Sequence, residues 1–174
     1  MILSICTMKD KTKWFVFYTK SRQEKKARYL LASKGFEVFL PTQKVIKQWS
    51  DRKKKVEVPL FNSYLFICTT ENLIQEVLQT PGIAWVIRNN GKPAILHDRE
   101  YKAIQRFLET GLTIEVLSAI SVEEGNRVEV ADGPLRGAIG YVAAKNPGKF
   151  MVLLEGIGQS IHVEIDSVLL KRVD

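Results

Sequence analysis

The stretch from Val122 to Val142 constrains the fold of this chain more than any other. Val128 and Val130 alternate with charged residues, as in a half-buried strand. Asp132-Gly133-Pro134 is a turn signal, because glycine permits positive φ and proline fixes φ. Gly140-Tyr141-Val142 begins a second strand. Two short strands joined by a glycine-rich turn predict an all-β structure here.

The same pattern continues to the end of the chain. Residues 150–154 and 160–165 read as two strands joined by the turn 155–158, and 168–170 closes the set. Glycines and prolines recur throughout, and inside a helix they cost about 1 and about 3 kcal/mol each. We therefore predict a stable small β-barrel over about residues 121–173 rather than a helical form.

The first part of the chain has mixed periodicity. Lys13–Thr19 is rich in aromatic and β-branched residues and predicts a buried strand. Ser21 and Glu24 fit a capping box that opens a helix to about Ser33. Further elements follow in order: a strand at 36–40, a polar-tipped hairpin at 44–59, an apolar strand at 60–67, a helix at 71–79, a hairpin at 83–96 and a helix at 98–109. This order predicts an α+β sandwich in which helices pack on an antiparallel sheet.

These elements predict two domains. We expect a flexible N-terminal tail over 1–12, an α+β domain over 13–110, a linker over 111–120 and the β domain over 121–174. Residues 1–110 carry 20 Lys and Arg against 10 Asp and Glu, whereas residues 111–174 carry 6 against 9. A basic first domain indicates a polyanionic partner such as DNA or RNA. A solvated basic surface is the alternative reading of the same charges.

Composition restricts the cellular context. Apolar residues make up 45% of the chain. The sequence contains no run of 18 apolar residues, so we predict no transmembrane helix. The N-terminus is apolar and then basic, the reverse of a secretory signal. Two cysteines, Cys6 and Cys68, are too few for a disulfide framework or a zinc site. We expect a cytoplasmic protein without membrane attachment.

The motifs together resemble a known family. Around Gly137, the strand–turn–strand resembles the KOW motif, whose glycines here are Gly125, Gly133, Gly137 and Gly140. The stretches Trp14–Lys20, Phe39–Pro41 and Pro59–Phe66 resemble the N-terminal domain of NusG-type transcription factors. The basic-tipped hairpin and Pro59–Phe66 are similar to the specialised RfaH and UpxY paralogues, which are antiterminators of such operons as surface-polysaccharide loci.

The resemblance implies a function and partners. The N-terminal domain is expected to bind the clamp region of RNA polymerase and to keep transcription elongation processive. Its nucleic-acid partner would be the non-template DNA or the nascent RNA. The C-terminal domain would be an SH3-like KOW barrel that recruits factors such as Rho or ribosomal protein S10. We expect a monomer that is not an enzyme and needs no cofactor.

The resemblance also assigns residues. Phe61, Tyr64 and Phe66 match the aromatic strand that contacts the polymerase, and core packing is the alternative role for them. The expected nucleic-acid contacts are the basic residues of the first domain: Lys20, Arg22, Lys25, Arg28, Arg52, Lys53, Lys54, Lys55 and Arg88.

Other functions have less support in the sequence. His97 and His162 are isolated, and His162 is expected to point outward, so we predict neither a metal site nor a catalytic residue. No P-loop or dinucleotide fingerprint occurs. The alternative that remains open is a KOW-type protein that binds RNA or the ribosome and acts in translation.

Overall fold

The computed structural model describes residues 11–48, 52–119, 124–144 and 146–173. It contains two compact units, Met1–His97 and Asp98–Asp174. The predicted tail over 1–12 falls mostly on residues 1–10, which lie outside the described residues.

The first unit combines helices and antiparallel strands, as predicted. Its helices are α1 (Glu24–Ser33) and α2 (Ile74–Leu78). Its strands are β1 (Lys13–Thr19), β2 (Glu37–Phe39), β3 (Thr42–Gln48), β4 (Lys53–Pro59), β5 (Tyr64–Thr69), β6 (Ile83–Val86), β7 (Arg88–Asn89), β8 (Lys92–Pro93) and β9 (Ile95–Leu96). The central sheet has the order β2-β5-β1-β6, with β9 also paired to β1. Among the described strands, β3 and β4 pair only with each other, and β7 pairs with β8.

A hydrophobic core lies between α1, α2 and one face of this sheet. Phe15 and Phe17 of β1 pack with Leu65 and Ile67 of β5 and with Leu31 of α1. These residues alternate along each strand, so their neighbours Trp14, Tyr18, Tyr64 and Phe66 project to the other face.

The start of α1 differs from the prediction. Its N-cap is Gln23, which makes no side-chain capping bond, and Ser21 is exposed. Glu24 does not reach back to the helix start, because its carboxylate accepts a hydrogen bond from the backbone N–H of Ser63 at 2.9 Å. The predicted capping box is therefore wrong, and the acidic residue connects two distant segments instead.

Within the described residues, the second unit contains one α-helix and six strands. These are α3 (Asp98–Glu109), β10 (Glu115–Ser118), β11 (Glu124–Val130), β12 (Ile139–Ala143), β13 (Asn146–Leu154), β14 (Gln159–Glu164) and β15 (Leu170–Arg172). All strand pairs are antiparallel, in the order β10-β14-β13-β12-β11-β15. The edge strands β10 and β15 do not pair with each other within the described residues, so closure into a barrel stays a prediction.

Helix α3 packs within the second unit. The Phe107 ring stacks on Phe150 at a centroid distance of 6.1 Å, and Glu100 accepts from the Gly156 N–H at 3.4 Å. The sequence had grouped this helix with the first domain, because periodicity shows which face of a helix is apolar but not what covers it. The segment predicted as a linker, 111–120, contributes strand β10, which pairs with β14.

Cys68 lies on β5 and is disulfide-bonded. Cys6, the other cysteine of the chain, lies outside the described residues.

Candidate binding surfaces

The three aromatic residues expected at the polymerase interface lie together, but they differ in exposure. Phe61 and Phe66 meet edge to face with ring centroids 5.9 Å apart, and their exposed fractions are 2% and 0%. Tyr64 lies 6.4 Å from Phe61 and is half-buried. Of the three, Tyr64 therefore offers the accessible ring, whereas Phe61 and Phe66 support it from inside.

Tyr64 continues into an aromatic row across the sheet. Tyr18 pairs with Tyr64 on one side and with Trp85 on the other. The Tyr18 ring meets Tyr64 at 5.7 Å in an edge contact and stacks on Trp85 at 4.6 Å with 10° between the planes. Trp85 is 55% exposed. We call Tyr64, Tyr18 and Trp85 the aromatic row.

The sequence did not identify Tyr18 and Trp85 as site residues. Tyr18 is the penultimate residue of β1, which is apolar on both faces, so alternation did not separate inward from outward positions. The available signal was a tryptophan, Trp85, in a short strand next to the buried Val86. Only the β1–β6 register brings Trp85 beside Tyr18.

The turn before β5 places Tyr64 in this row. Ser63 has a φ of 64°, an uncommon conformation for a residue with a side chain. Its N–H donates to Glu24, and its carbonyl oxygen accepts from the Thr19 N–H at 2.8 Å. Both polar backbone groups of Ser63 are thus satisfied by elements outside the turn.

The predicted cations around α1 are exposed, and one has a structural contact. Lys20, Arg22, Lys25 and Arg28 all lie at the surface. The Lys25 ammonium donates to the backbone oxygen of Glu57 at 3.1 Å, which connects α1 to β4. The hydrogen bond from Thr42 and the nearby cations Lys25, Lys44 and Arg28 lower the pKa of the Glu57 carboxyl. Farther along the chain, Arg88 is exposed and donates to the Gly91 carbonyl at 3.0 Å within its own hairpin.

The β3–β4 hairpin concentrates positive charge. Arg52, Lys53, Lys54 and Lys55 are exposed, and residues 49–51 at the tip lie outside the described residues. Lys47 and Lys54 occupy opposite positions in the register. Like charges placed opposite each other destabilise a strand pair, and an anion beside them would relieve the repulsion.

The glycines of the predicted motif have distinct roles in the second unit. Gly137 has a φ of 77°, and its N–H donates to Val130 at 2.7 Å. A Cβ atom on Gly140 would lie 2.3 Å from the Met151 carbonyl oxygen, so only glycine fits there. A Cβ on Gly125 would lie 2.8 Å from the Val142 oxygen, and Gly133 has a φ of 86°.

His162 is buried, which corrects the prediction that it points outward. It is 1% exposed, and its Nε2 lies 2.8 Å from the Ser160 hydroxyl oxygen. Burial, followed by the nearby Lys149 ammonium, lowers the pKa of His162, although Glu115 opposes the shift. The prediction failed because β14 is buried over four consecutive residues, 160–163.

Two further properties concern the described residues as a set. Among them, no group of three or more His, Cys, Asp and Glu is arranged to hold a metal ion. No helix in the same part of the chain is both long and apolar enough to cross a membrane.

Comparison with known proteins identifies the family. Residues 12–105 match the sequence profile described as "Transcription termination factor nusG". The chain belongs to the NusG family. It is 27% identical to the "Transcription termination/antitermination protein NusG" of Streptococcus pyogenes serotype M1 over 167 residues, covering 88% of this chain and 92% of that relative. The protein of the same description from Lactococcus lactis is 25% identical over 169 residues, covering 88% of this chain and 89% of the relative.

A solved structure agrees in fold. The structure described as "Domain interaction in Thermotoga maritima NusG" superposes with a TM-score of 0.53, covering 94% of this chain and 98% of that one at 18% identity. This likeness concerns the fold alone. The sequence match over residues 12–105 makes this chain a NusG-family transcription termination/antitermination factor.

Proposed function

We propose that this chain binds the clamp region of RNA polymerase through the aromatic row and acts as an antiterminator of particular operons. The row of Tyr64, Tyr18 and Trp85, in which Trp85 is exposed and the two tyrosines are half-buried, is the observation that carries the proposal. Stacked aromatic rings at a surface supply a large contact area at a small cost in side-chain entropy. Family membership supports RNA polymerase as the partner.

Phe61 and Phe66 contribute to this surface from beneath. Their rings fill the space behind Tyr64 and are almost inaccessible to a partner. Truncating them would create a cavity and destabilise the first unit, which would confuse loss of folding with loss of binding. The accessible rings, Tyr64 and Trp85, are therefore the ones to change.

The test measures affinity for RNA polymerase core enzyme without nucleic acid. Truncating an aromatic anchor commonly costs about 2 kcal/mol or more, which is roughly a thirtyfold loss of affinity. We expect losses of that size for Tyr64→Ala and Trp85→Ala. Tyr29→Ala is the matched control, because Tyr29 is 74% exposed on α1 and lies outside the row. Normal binding by folded Tyr64→Ala and Trp85→Ala proteins would exclude the proposed surface.

The basic residues of the first unit form the second part of the proposal. We propose that Lys20, Arg22 and Arg28 and the hairpin cations contact nucleic acid within the elongation complex. The side chains of Lys25 and Arg88 also donate hydrogen bonds to backbone carbonyl oxygens, so substituting these residues would disturb the local structure as well. The better test is therefore the double variant of Lys20→Gln and Arg22→Gln. It should reduce the salt slope, the slope of log affinity against log salt concentration, by about one unit per lost phosphate contact. An unchanged slope would leave these as solvated charges.

The same measurement distinguishes non-template DNA from nascent RNA as the contacted strand. Elongation complexes are assembled with either strand shortened, and the salt slope is compared between the wild type and the double variant. The strand whose removal abolishes the difference is the one contacted. A difference that survives both removals would assign the contact to duplex DNA or to the polymerase.

Operon specificity is tested by transcription in vitro. We propose that the chain suppresses termination downstream of particular leader regions, such as those of surface-polysaccharide operons, and acts in the cytoplasm as a monomer. Read-through should rise on such a template and not on a matched template with an unrelated leader. Equal read-through on both would indicate a general elongation factor.

The second unit is proposed to recruit a further factor, such as Rho or ribosomal protein S10. Its surface carries exposed apolar side chains at Leu117, Ile139 and Val168. Affinity capture with the full chain distinguishes the two proteins. Capture of ribosomal proteins without RNA polymerase would instead favour a role in translation.

A further inference from the structure

Two residues of the first unit have a left-handed backbone conformation, and a hydrogen bond joins the two segments that contain them. Arg22 has a φ of 60° just before α1, and Ser63 has a φ of 64° just before β5. Between them, the Glu24 carboxylate accepts the Ser63 N–H at 2.9 Å. Non-glycine residues in this region are uncommon and persist only where their surroundings hold them.

The entry to α1 turns Glu24 inward. The Gln23 N–H donates to Lys20 at 3.0 Å, which closes a tight turn through Arg22. The helix then begins without a side-chain cap, and Glu24 is only 7% exposed. An acidic residue in the first turn normally stabilises its own helix end. Here its oxygen is directed to a segment 39 residues away.

The receiving turn is fixed on both sides. The Ser63 carbonyl accepts from Thr19, which is fully buried on β1, while Glu24 accepts from the Ser63 N–H. Water competes weakly for a buried carboxylate, so this charge-assisted hydrogen bond is well placed to hold the strained φ. Tyr64 is the next residue and the first of β5.

We propose that Glu24 is a positioning residue that holds Ser63 in its left-handed conformation and thereby places Tyr64 in the aromatic row. The inference rests on the proposed function, because it concerns how that surface is prepared for RNA polymerase. Without the Glu24 contact, Ser63 relaxes toward ordinary backbone conformations and Tyr64 leaves the row for part of the time. The apparent affinity then falls by the fraction of molecules that keep the binding conformation.

Substitutions at both ends of the contact separate positioning from general stability. Glu24→Ala removes the acceptor, and a binding-competent fraction of about one tenth would give a tenfold weaker affinity for RNA polymerase core enzyme. Glu24→Gln keeps an acceptor oxygen and should bind within about twofold of wild type. Glu24→Asp keeps the charge but withdraws it by one methylene, so it should weaken binding severalfold even if Glu24→Ala fails to fold.

The decisive variant is Glu24→Ala combined with Ser63→Gly. Glycine adopts positive φ without a steric cost, so it restores the turn without restoring the hydrogen bond. We expect the double variant to recover most of the affinity lost by Glu24→Ala. Equal weakness of the single and double variants would overturn the inference, as would wild-type binding by Glu24→Ala.

Two further readouts keep the inference apart from the proposed function. Hydrogen exchange of the Ser63 amide should be slow in the wild type and fast in Glu24→Ala, and fast exchange in the wild type would overturn the inference. Tyr64→Ala is measured in the same binding assay. Weak binding by Tyr64→Ala with normal binding by Glu24→Ala would overturn the inference alone, whereas normal binding by Tyr64→Ala would overturn both.

Discussion

The turn at Ser63 in the first unit and the turn at Gly137 in the second solve the same backbone problem differently. Both residues have positive φ, 64° and 77°. Gly137 adopts this conformation freely, and its N–H bonds to the adjacent strand. Ser63 carries a side chain and depends on Glu24 and Thr19, which lie far away in sequence. The glycine turn is a local property of the sequence, whereas the serine turn is a property of the folded unit.

The largest expected effect tests the glycine side of this comparison. Gly140→Ala would place a Cβ atom 2.3 Å from the Met151 carbonyl oxygen and 2.8 Å from the Phe150 ring. Relieving this overlap requires backbone movement, so we expect a loss of about 3 kcal/mol in the free energy of unfolding of the second unit. The measurement is urea unfolding followed by NMR signals of the second unit.

The tryptophans supply an internal control for that experiment. All three tryptophans of the sequence fall within residues 1–97, the range of the first unit. Their fluorescence should report an unchanged midpoint for the first unit in Gly140→Ala. A change of less than about 0.5 kcal/mol in the second unit would show that the backbone yields easily at this position.

Exchanging the residue types sharpens the comparison. Gly137→Ala introduces a Cβ at positive φ in open space, so only the backbone cost of about 1 kcal/mol is expected. Ser63→Gly in the otherwise wild-type chain should leave the unfolding free energy of the first unit within about 0.5 kcal/mol. Relief of strain there opposes the greater entropy of the unfolded chain. A loss of 1 kcal/mol or more in Ser63→Gly would mean that the serine side chain stabilises the turn in its own right.

A further expected effect concerns pH and the buried His162. Because burial lowers the pKa of folded His162 below its ordinary value, the unfolded chain binds the proton more readily. The stability of the second unit should therefore be complete above about pH 6.5 and should decrease as the pH falls below it, by at most about 1.4 kcal/mol per pH unit. His162→Gln should flatten this dependence between pH 6.5 and 5.5. His97→Gln, at an exposed position of the first unit, is the control, and equal flattening by both variants would contradict the assignment.

The sequence predicted the parts of the molecule that local patterns determine. The alternation around Val128 and Val130, the hairpin at β3–β4 and helix α3 were all foreseen. The errors lie where tertiary partners decide. Glu24 matched a capping box in sequence, but its carboxylate accepts the backbone N–H of Ser63 from another segment.

The candidate site was predicted only in part for the same reason. Strand β5 is largely buried on both faces, so the sequence of β5 and the turn before it marked Phe61, Tyr64 and Phe66 as aromatic without showing that, of these three, Tyr64 is the accessible one. Trp85 joins the site through the β1–β6 register, which no local motif encodes. His162 is buried because its strand lies between two others, β10 and β13.

Photo-crosslinking from the aromatic row tests directly whether this row contacts the clamp region of RNA polymerase. Replacing Trp85 with the photoreactive residue benzoylphenylalanine keeps an aromatic side chain at the exposed end of the row. The same replacement at Tyr29 provides the matched control position on α1. Binding of the clamp region by the aromatic row predicts crosslinks from position 85 to that region of RNA polymerase, and none to it from position 29. Absence of clamp crosslinks from position 85 in a chain that still binds the polymerase would contradict this mode of binding.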